Sequence, residues 1–200
     1  MIHRVRLALL ALACATPFTG AGQTPSFIYV RGAAGSASSM YAAYSLGPAA
    51  AVFGMVVNPR TGYHEIIAGG VARIAHPHGA TSIALTAADA SDSWYLQLYL
   101  VPSVSVGRAS FGGTLELYQP LSRAGTYDLD VNPINALIRI APGVSAGPSY
   151  RIGLAAGALR KQAAGLMIQT RVPRGGITVE WLAGLSRLHG DLRASLQAAF

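Results

Sequence analysis

Ile177-Thr178-Val179-Glu180-Trp181-Leu182-Ala183-Gly184-Leu185 is the stretch that decides the fold. Ile177, Val179, Trp181, Ala183 and Leu185 fall in one register; Thr178, Glu180, Leu182 and Gly184 fall in the other. A repeat of two belongs to a β-strand, because successive side chains leave a strand on opposite faces, whereas a helix repeats every 3.6 residues. The same alternation runs through residues 94–101, 111–118, 136–141, 151–158, 166–172 and 192–200. Turn signals punctuate these runs at 46–48, 58–62, 76–79, 89–93, 107–108, 122–132, 146–148, 159–163, 173–176 and 189–191. Short, even spacing of this kind predicts a meander of hairpins, with about twelve strands if 26–34 is the first and ten if two early ones fail.

Composition says where such a meander belongs. Of the 200 residues, 52% are hydrophobic and only 12% charged, the latter about half the share of an ordinary soluble domain. Disorder needs the opposite balance, a coiled coil needs Glu and Lys, and a single cysteine excludes a disulfide scaffold. A membrane-spanning helix needs about twenty apolar residues in a row. Residues 32–59 carry no charge, but Gly47-Pro48 breaks them and leaves 49–57 as the best apolar run. In lipid every backbone polar group must be bonded internally, so a chain that spans without helices spans as a closed barrel. The expected fold is an all-β, antiparallel, up-and-down transmembrane β-barrel of 10–12 strands. The alternative is a soluble periplasmic β protein that binds an apolar ligand or a partner.

The N-terminus has the order of a secretory signal: Arg4 and Arg6, an apolar stretch at 7–15, then small and turn-forming residues to Gly22. The expected division is a signal peptide at 1–22 and one barrel domain at 23–200. Removal of 22 residues leaves 178, with 13 basic and 8 acidic side chains and a formal charge of +5. Leu12-Ala13-Cys14 approaches a lipoprotein signal, but the position three before the cysteine is Ala11 where that motif has Leu, so Cys14 reads as a signal-peptide cysteine.

Residues Asp191 to Phe200 resemble the C-terminal signature of bacterial outer-membrane β-barrel proteins. Leu192, Leu196 and the final Phe200 stand in one register, with Ala194 and Ala198 between them. The resemblance implies an outer-membrane location, contact with outer-membrane lipids, and recognition of Leu192, Leu196 and Phe200 by the barrel-assembly machinery. An even strand count puts both termini on one side. With that side periplasmic, the longest connection, 122–132 with Asp128 and Asp130, falls outside, where barrels of this class carry their long loops.

Charge on a lipid-facing register costs a few kcal/mol near the midplane, so the other register is the lumen. It collects Gln97, Glu116, Arg139, Arg151, Gln169, Arg171, Glu180 and Arg193. Small barrels are usually filled by side chains, and Arg bonds a carboxylate through two parallel hydrogen bonds. Buried pairs among Glu116, Arg139, Arg151, Arg171, Glu180 and Arg193 are therefore one expectation, giving a structural barrel. A narrow, Arg-rich pore for small anionic solutes is the other. Trp94, Tyr95, Trp181, Tyr41, Tyr44, Tyr63, Tyr118, Tyr127 and Tyr150 are expected in aromatic girdles at the two membrane interfaces.

Catalytic signals are thin. His76 and His78 share one turn with no carboxylate beside them, so no metal and no cofactor is expected. His64 and Glu65 with Ser82 or Ser91 sketch a Ser–His–carboxylate site of the kind some lipid-modifying barrel enzymes carry, without their local motifs. Fourteen Arg and one Lys make the chain basic, yet no nucleic-acid motif accompanies them. Lumen groups and anionic lipid account for that charge better than DNA does.

Overall fold

The computed structural model describes residues 24–122, 125–186 and 190–200. The expected signal peptide, with Cys14, lies outside them. Among the described residues twelve strands follow in chain order: β1 (Phe27–Ala33), β2 (Ser38–Ser45), β3 (Ala49–Asn58), β4 (Tyr63–His76), β5 (Gly79–Ala90), β6 (Trp94–Val106), β7 (Ala109–Pro120), β8 (Asp128–Ala141), β9 (Val144–Ala155), β10 (Ala158–Val172), β11 (Gly175–Ser186) and β12 (Asp191–Ala199). Each pairs antiparallel with its chain neighbour. β1 pairs with β12, from Phe27↔Ala199 to Ala33↔Arg193, so the sheet closes and no edge is left bare.

The alternation read from the sequence is the alternation of the wall. On β11, Ile177, Val179, Trp181 and Leu185 are 44–58% exposed, while Glu180 and Leu182 are 4% and 0% exposed. The outward register of the other strands repeats this with Ile28, Val30, Phe53, Ile66, Phe111, Ile138, Leu166 and Leu196, all exposed. Charges in the strands point inward, apart from Asp89 and Arg160 close to one rim. β4 to β11 have 12–15 residues each, more than the roughly 9–11 that a tilted strand needs to cross a bilayer. β1, β2 and β12 have 7, 8 and 9, so the wall is lowest at its closing seam. β4 outruns β3 there, and Thr24 satisfies the freed backbone: its Oγ1 accepts from the Arg73 N–H at 3.2 Å and donates to the Pro48 carbonyl at 3.0 Å.

The two ends differ. At the end that holds Phe27 and Ala199, strands are joined by two or three residues, at 46–48, 77–78, 107–108, 142–143 and 173–174. Positive φ at Gly107, Gly143 and Arg174 makes these tight reversals possible. The opposite end has short connections at 91–93 and 156–157 but also the longer ones at 34–37, 59–62, 187–190 and 121–127. The first is the turn end and the second the loop end.

Three expected turns are placed differently. Residues 159–163 are strand, with a bulge between Leu159 and Lys161; the reversal is two residues earlier, where Ala156 and Gly157 both have positive φ. An alanine in a left-handed conformation carries no turn signal in the sequence. Residues 146–148 lie inside β9, because the β8–β9 ladder passes over Gly147 and Pro148 and the missing proline N–H breaks no bond on that side. The connection expected at 122–132 is shorter: Asp128 to Asn132 already belong to β8.

Candidate functional site

The inward register encloses a cavity of about 620 Å³. Its lining runs from Ser36 and Asp92 at the loop end to Phe27 and Ser82 near the turn end. It lies to one side of the barrel. β1 to β7 give it an aromatic and aliphatic wall, with Tyr29, Tyr41, Tyr63, Tyr95, Tyr99 and Tyr118 over Val52, Ile67 and Val71. The Tyr29 and Tyr41 rings are 6.1 Å apart, and Tyr118 meets Tyr95 and Tyr99 edge-on at 6.2 and 6.3 Å. Opposite stand the polar groups of β8, β9, β10 and β12: Asp130, Asn132, Arg151, Lys161 and Arg193. On that side Leu137, Met167 and Leu182 are buried and fill the interior.

Four of the nine aromatics expected in interfacial girdles are thereby corrected. Tyr41, Tyr63, Tyr95 and Tyr118 line the lumen. Their register puts them there: Tyr95 shares a face with Gln97, and Tyr118 with Glu116. Trp94, Trp181, Tyr44 and Tyr127 are exposed, at 36–68%. The Tyr150 hydroxyl accepts from Gln162 on the neighbouring strand.

Of the six charged residues expected to form a lumen network, four face the interior and two do not join it. Arg193 is the hub. It donates from Nε to Asp191 at 2.6 Å, and through its terminal nitrogens to Asn132 at 3.1 Å and Ser36 at 2.7 Å. Glu180 lies 3.7 Å from it and accepts from the Ser149 hydroxyl. Asp191 also takes the Gly35 N–H at 2.7 Å, which ties the 34–37 connection across the loop end. Glu116 accepts the Tyr118 hydroxyl at 2.9 Å. Arg151 is 8% exposed and lines the cavity. Arg139 and Arg171 continue the inward register but stand exposed at the turn-end rim. There Arg139 reaches Gly107 O at 3.4 Å, and the Arg108 guanidinium donates to Arg139 O. Leu192, Leu196 and Phe200 all face outward, at 53%, 49% and 69% exposure.

Sequence reasoning missed half of the polar interior. Lys161 pairs with Asp130. Glu65 accepts from the Tyr63 hydroxyl at 3.2 Å and from Gln97, whose carbonyl takes Thr86 Oγ1 at 2.8 Å and Tyr99 OH at 3.0 Å. Arg31 lines the cavity from β1. The signal was present, since Tyr29 and Arg31 alternate with Ile28 and Val30 as strictly as any pair on β11. Gly54 makes room for Tyr41, because a Cβ there would strike the Tyr41 ring. His64 and Glu65 are consecutive strand residues on opposite faces, with His64 exposed outside and Glu65 buried inside. The sketched hydrolase trio is therefore not assembled. Among the described residues no three His, Cys, Asp or Glu side chains gather closely enough to hold a metal ion.

No family model matches this chain, and no curated protein matches its sequence. Its fold is similar to that of the KdgM porin solved in complex with disordered oligogalacturonate, with a TM-score of 0.58 at 10% identity over 88% of this chain and 99% of that one. The NanC porin gives a TM-score of 0.56 at 10% identity, over 88% of this chain and 98% of that one. The shared feature is the fold: a closed, all-antiparallel barrel of the kind found in bacterial outer-membrane porins.

Proposed function

We propose that this chain is exported by its N-terminal signal, inserts in the bacterial outer membrane, and serves there as a narrow pore for small solutes. The observation that carries the reading is the sorting of the wall: an apolar belt all round the outside of a barrel whose inside holds a polar, tyrosine-lined cavity. A soluble protein would have to leave that belt in water, where apolar patches of this extent are not kept. Leu192, Leu196 and Phe200 are available on the outer face of β12 for the assembly machinery. The preference for anions arises at the turn-end rim, where Arg73, Arg108, Arg139, Arg171 and Arg174 have no acidic side chain on the same turns. In the orientation expected for outer-membrane barrels that rim is periplasmic.

The test is conductance of the folded full chain in planar bilayers, with heat-modifiable gel mobility as the check of folding. Discrete steps that carry more chloride than potassium are expected. A folded barrel without steps, or a protein recovered from the soluble periplasm, overturns the proposal.

A further inference from the structure

Four buried side-chain polar atoms lack a hydrogen-bond partner among the described residues: Arg31 Nε, Ser39 Oγ, Asp128 Oδ1 and Arg151 Nε. All four residues line the one cavity. Three of the four atoms belong to groups that donate, and two of those are guanidinium groups. An unpaired buried donor is costly, and an unpaired buried charge more so.

The remaining lumen cations are committed. Arg193 is held by Asp191 and Glu180, and Lys161 by Asp130. No carboxylate of the described residues stands within 4.0 Å of Arg31 or Arg151. The two arginines repel each other; Glu116 and Glu180 attract both from beyond ion-pair range, and Asp130 attracts Arg151. Neither guanidinium is engaged by a carboxylate at ion-pair range, and the planar fork of Arg suits one.

The wall below supplies the rest of the ligand. Arg31 pairs in register with Ser39, and one pleat towards the turn end Tyr29 pairs with Tyr41. Two residues along a strand advance about 6.6 Å. That is close to the distance between a carboxylate and the far side of an attached six-membered ring. Phe27 continues the same face towards the turn end. Ser39, at 5% exposed, and Arg151, at 8%, are held by the wall and not by solvent.

We infer that the lumen contains a binding station for aromatic monocarboxylates, with the carboxylate between Arg31 and Arg151, the Ser39 hydroxyl donating to it, and the ring against Tyr29 and Tyr41. The inference deepens the pore reading and rests on it for its biological setting, while the site itself is tested without conduction.

The experiment is calorimetric titration of the detergent-folded full chain with benzoate, with its neutral isostere benzamide, and with acetate, which has the charge and no ring. Saturable binding of benzoate is expected, at least about tenfold tighter than either control, since a hydrogen bond to a charged group is worth roughly that factor or more. Arg151→Gln and Arg31→Gln are each expected to weaken benzoate by about tenfold, and Tyr41→Leu to bring benzoate towards acetate. Equal affinity for benzoate and benzamide refutes the carboxylate seat, and equal affinity for benzoate and acetate refutes the aromatic one. Both comparisons use the unaltered protein and so survive a variant that fails to fold. Benzoate binding in a barrel that does not conduct retires the pore and keeps the site. Conductance without benzoate binding does the reverse.

Discussion

Leu166 is the residue at which membrane and water make opposite demands. It is 60% exposed on the outward face of β10, near the middle of that 15-residue strand, and pairs in register with Trp181 on β11. Leu166→Arg places a charge at mid-height on the wall. In a bilayer that costs about 2–4 kcal/mol, a factor of about 30 to 700 in the folding equilibrium. In water an exposed leucine replaced by arginine changes stability by no more than about 0.5 kcal/mol. Val106→Arg is the internal control. Val106 is 56% exposed, the last residue of β6 at the turn-end rim, where the bilayer cost falls to about 0–1 kcal/mol. The assay is reversible urea titration of folding into phosphatidylcholine vesicles, read by tryptophan fluorescence. A loss at Leu166 that exceeds the loss at Val106 by about 2 kcal/mol is expected. Equal losses at the two sites, or no loss at Leu166, would refute the argument that the outer belt is a lipid belt.

Arg193→Met is expected to destabilise the barrel by about 3–5 kcal/mol in the same titration, because it leaves Asp191 and Glu180 buried without their cation. Adding Asp191→Asn should restore more of the loss than adding Glu180→Gln, since the Asp191 contact is 2.6 Å and the Glu180 contact 3.7 Å. A loss below about 1 kcal/mol, the size of an exposed pair, would mean that lumen water solvates both carboxylates. Arg139→Glu and Arg171→Glu are expected to shift the reversal potential in a potassium chloride gradient towards cation selectivity. The shift should be larger at 0.1 M than at 1 M salt, where the screening length falls from about 10 to about 3 Å. An unchanged reversal potential at low salt would place both rim charges off the conduction path.

The fold was legible because a two-residue repeat needs no knowledge of neighbours. Ile177 and Glu180 are assigned to opposite faces by parity alone, and closure follows from the absence of any helix to span with. The turn at Gly107-Arg108 was legible; the one at Pro142-Gly143 was placed at 146–148 although proline and glycine mark it, and the one at Ala156-Gly157 was placed at 159–163, because tertiary structure there holds an alanine in a left-handed conformation. The site was half legible. Parity placed Glu180 and Arg193 on one face, and β11–β12 pairing brings those two opposite each other in register. Height along the barrel is a different quantity. It depends on where each strand starts, and so Arg139 and Arg171, which share the inward parity, end at the rim. For the tyrosines parity outranks closeness to a strand end: Tyr95 and Tyr99 flank Gln97 in one register and face inward with it.

Height also changes the meaning of the net charge. From residue 23 onward the chain has 13 basic and 8 acidic side chains. Five arginines, Arg73, Arg108, Arg139, Arg171 and Arg174, lie at the turn-end rim. Set aside, they leave eight basic and eight acidic side chains. The formal excess of +5 therefore equals the charge of one mouth, and the strand carboxylates Glu65, Glu116, Asp130 and Glu180 sit from mid-height to the loop end. A uniformly Arg-rich lumen would hold any anion along its whole length and release it slowly. A basic mouth above an interior where Arg31, Arg151, Lys161 and Arg193 stand among a larger number of carboxylates instead concentrates anions at the entrance by long-range attraction, which salt weakens. Retention is left to the one place where two arginines have no partner. Selectivity and affinity are thus assigned to different residues. Rim substitutions should change which ions enter without changing how tightly a carboxylate is held, and Arg151→Gln should do the opposite.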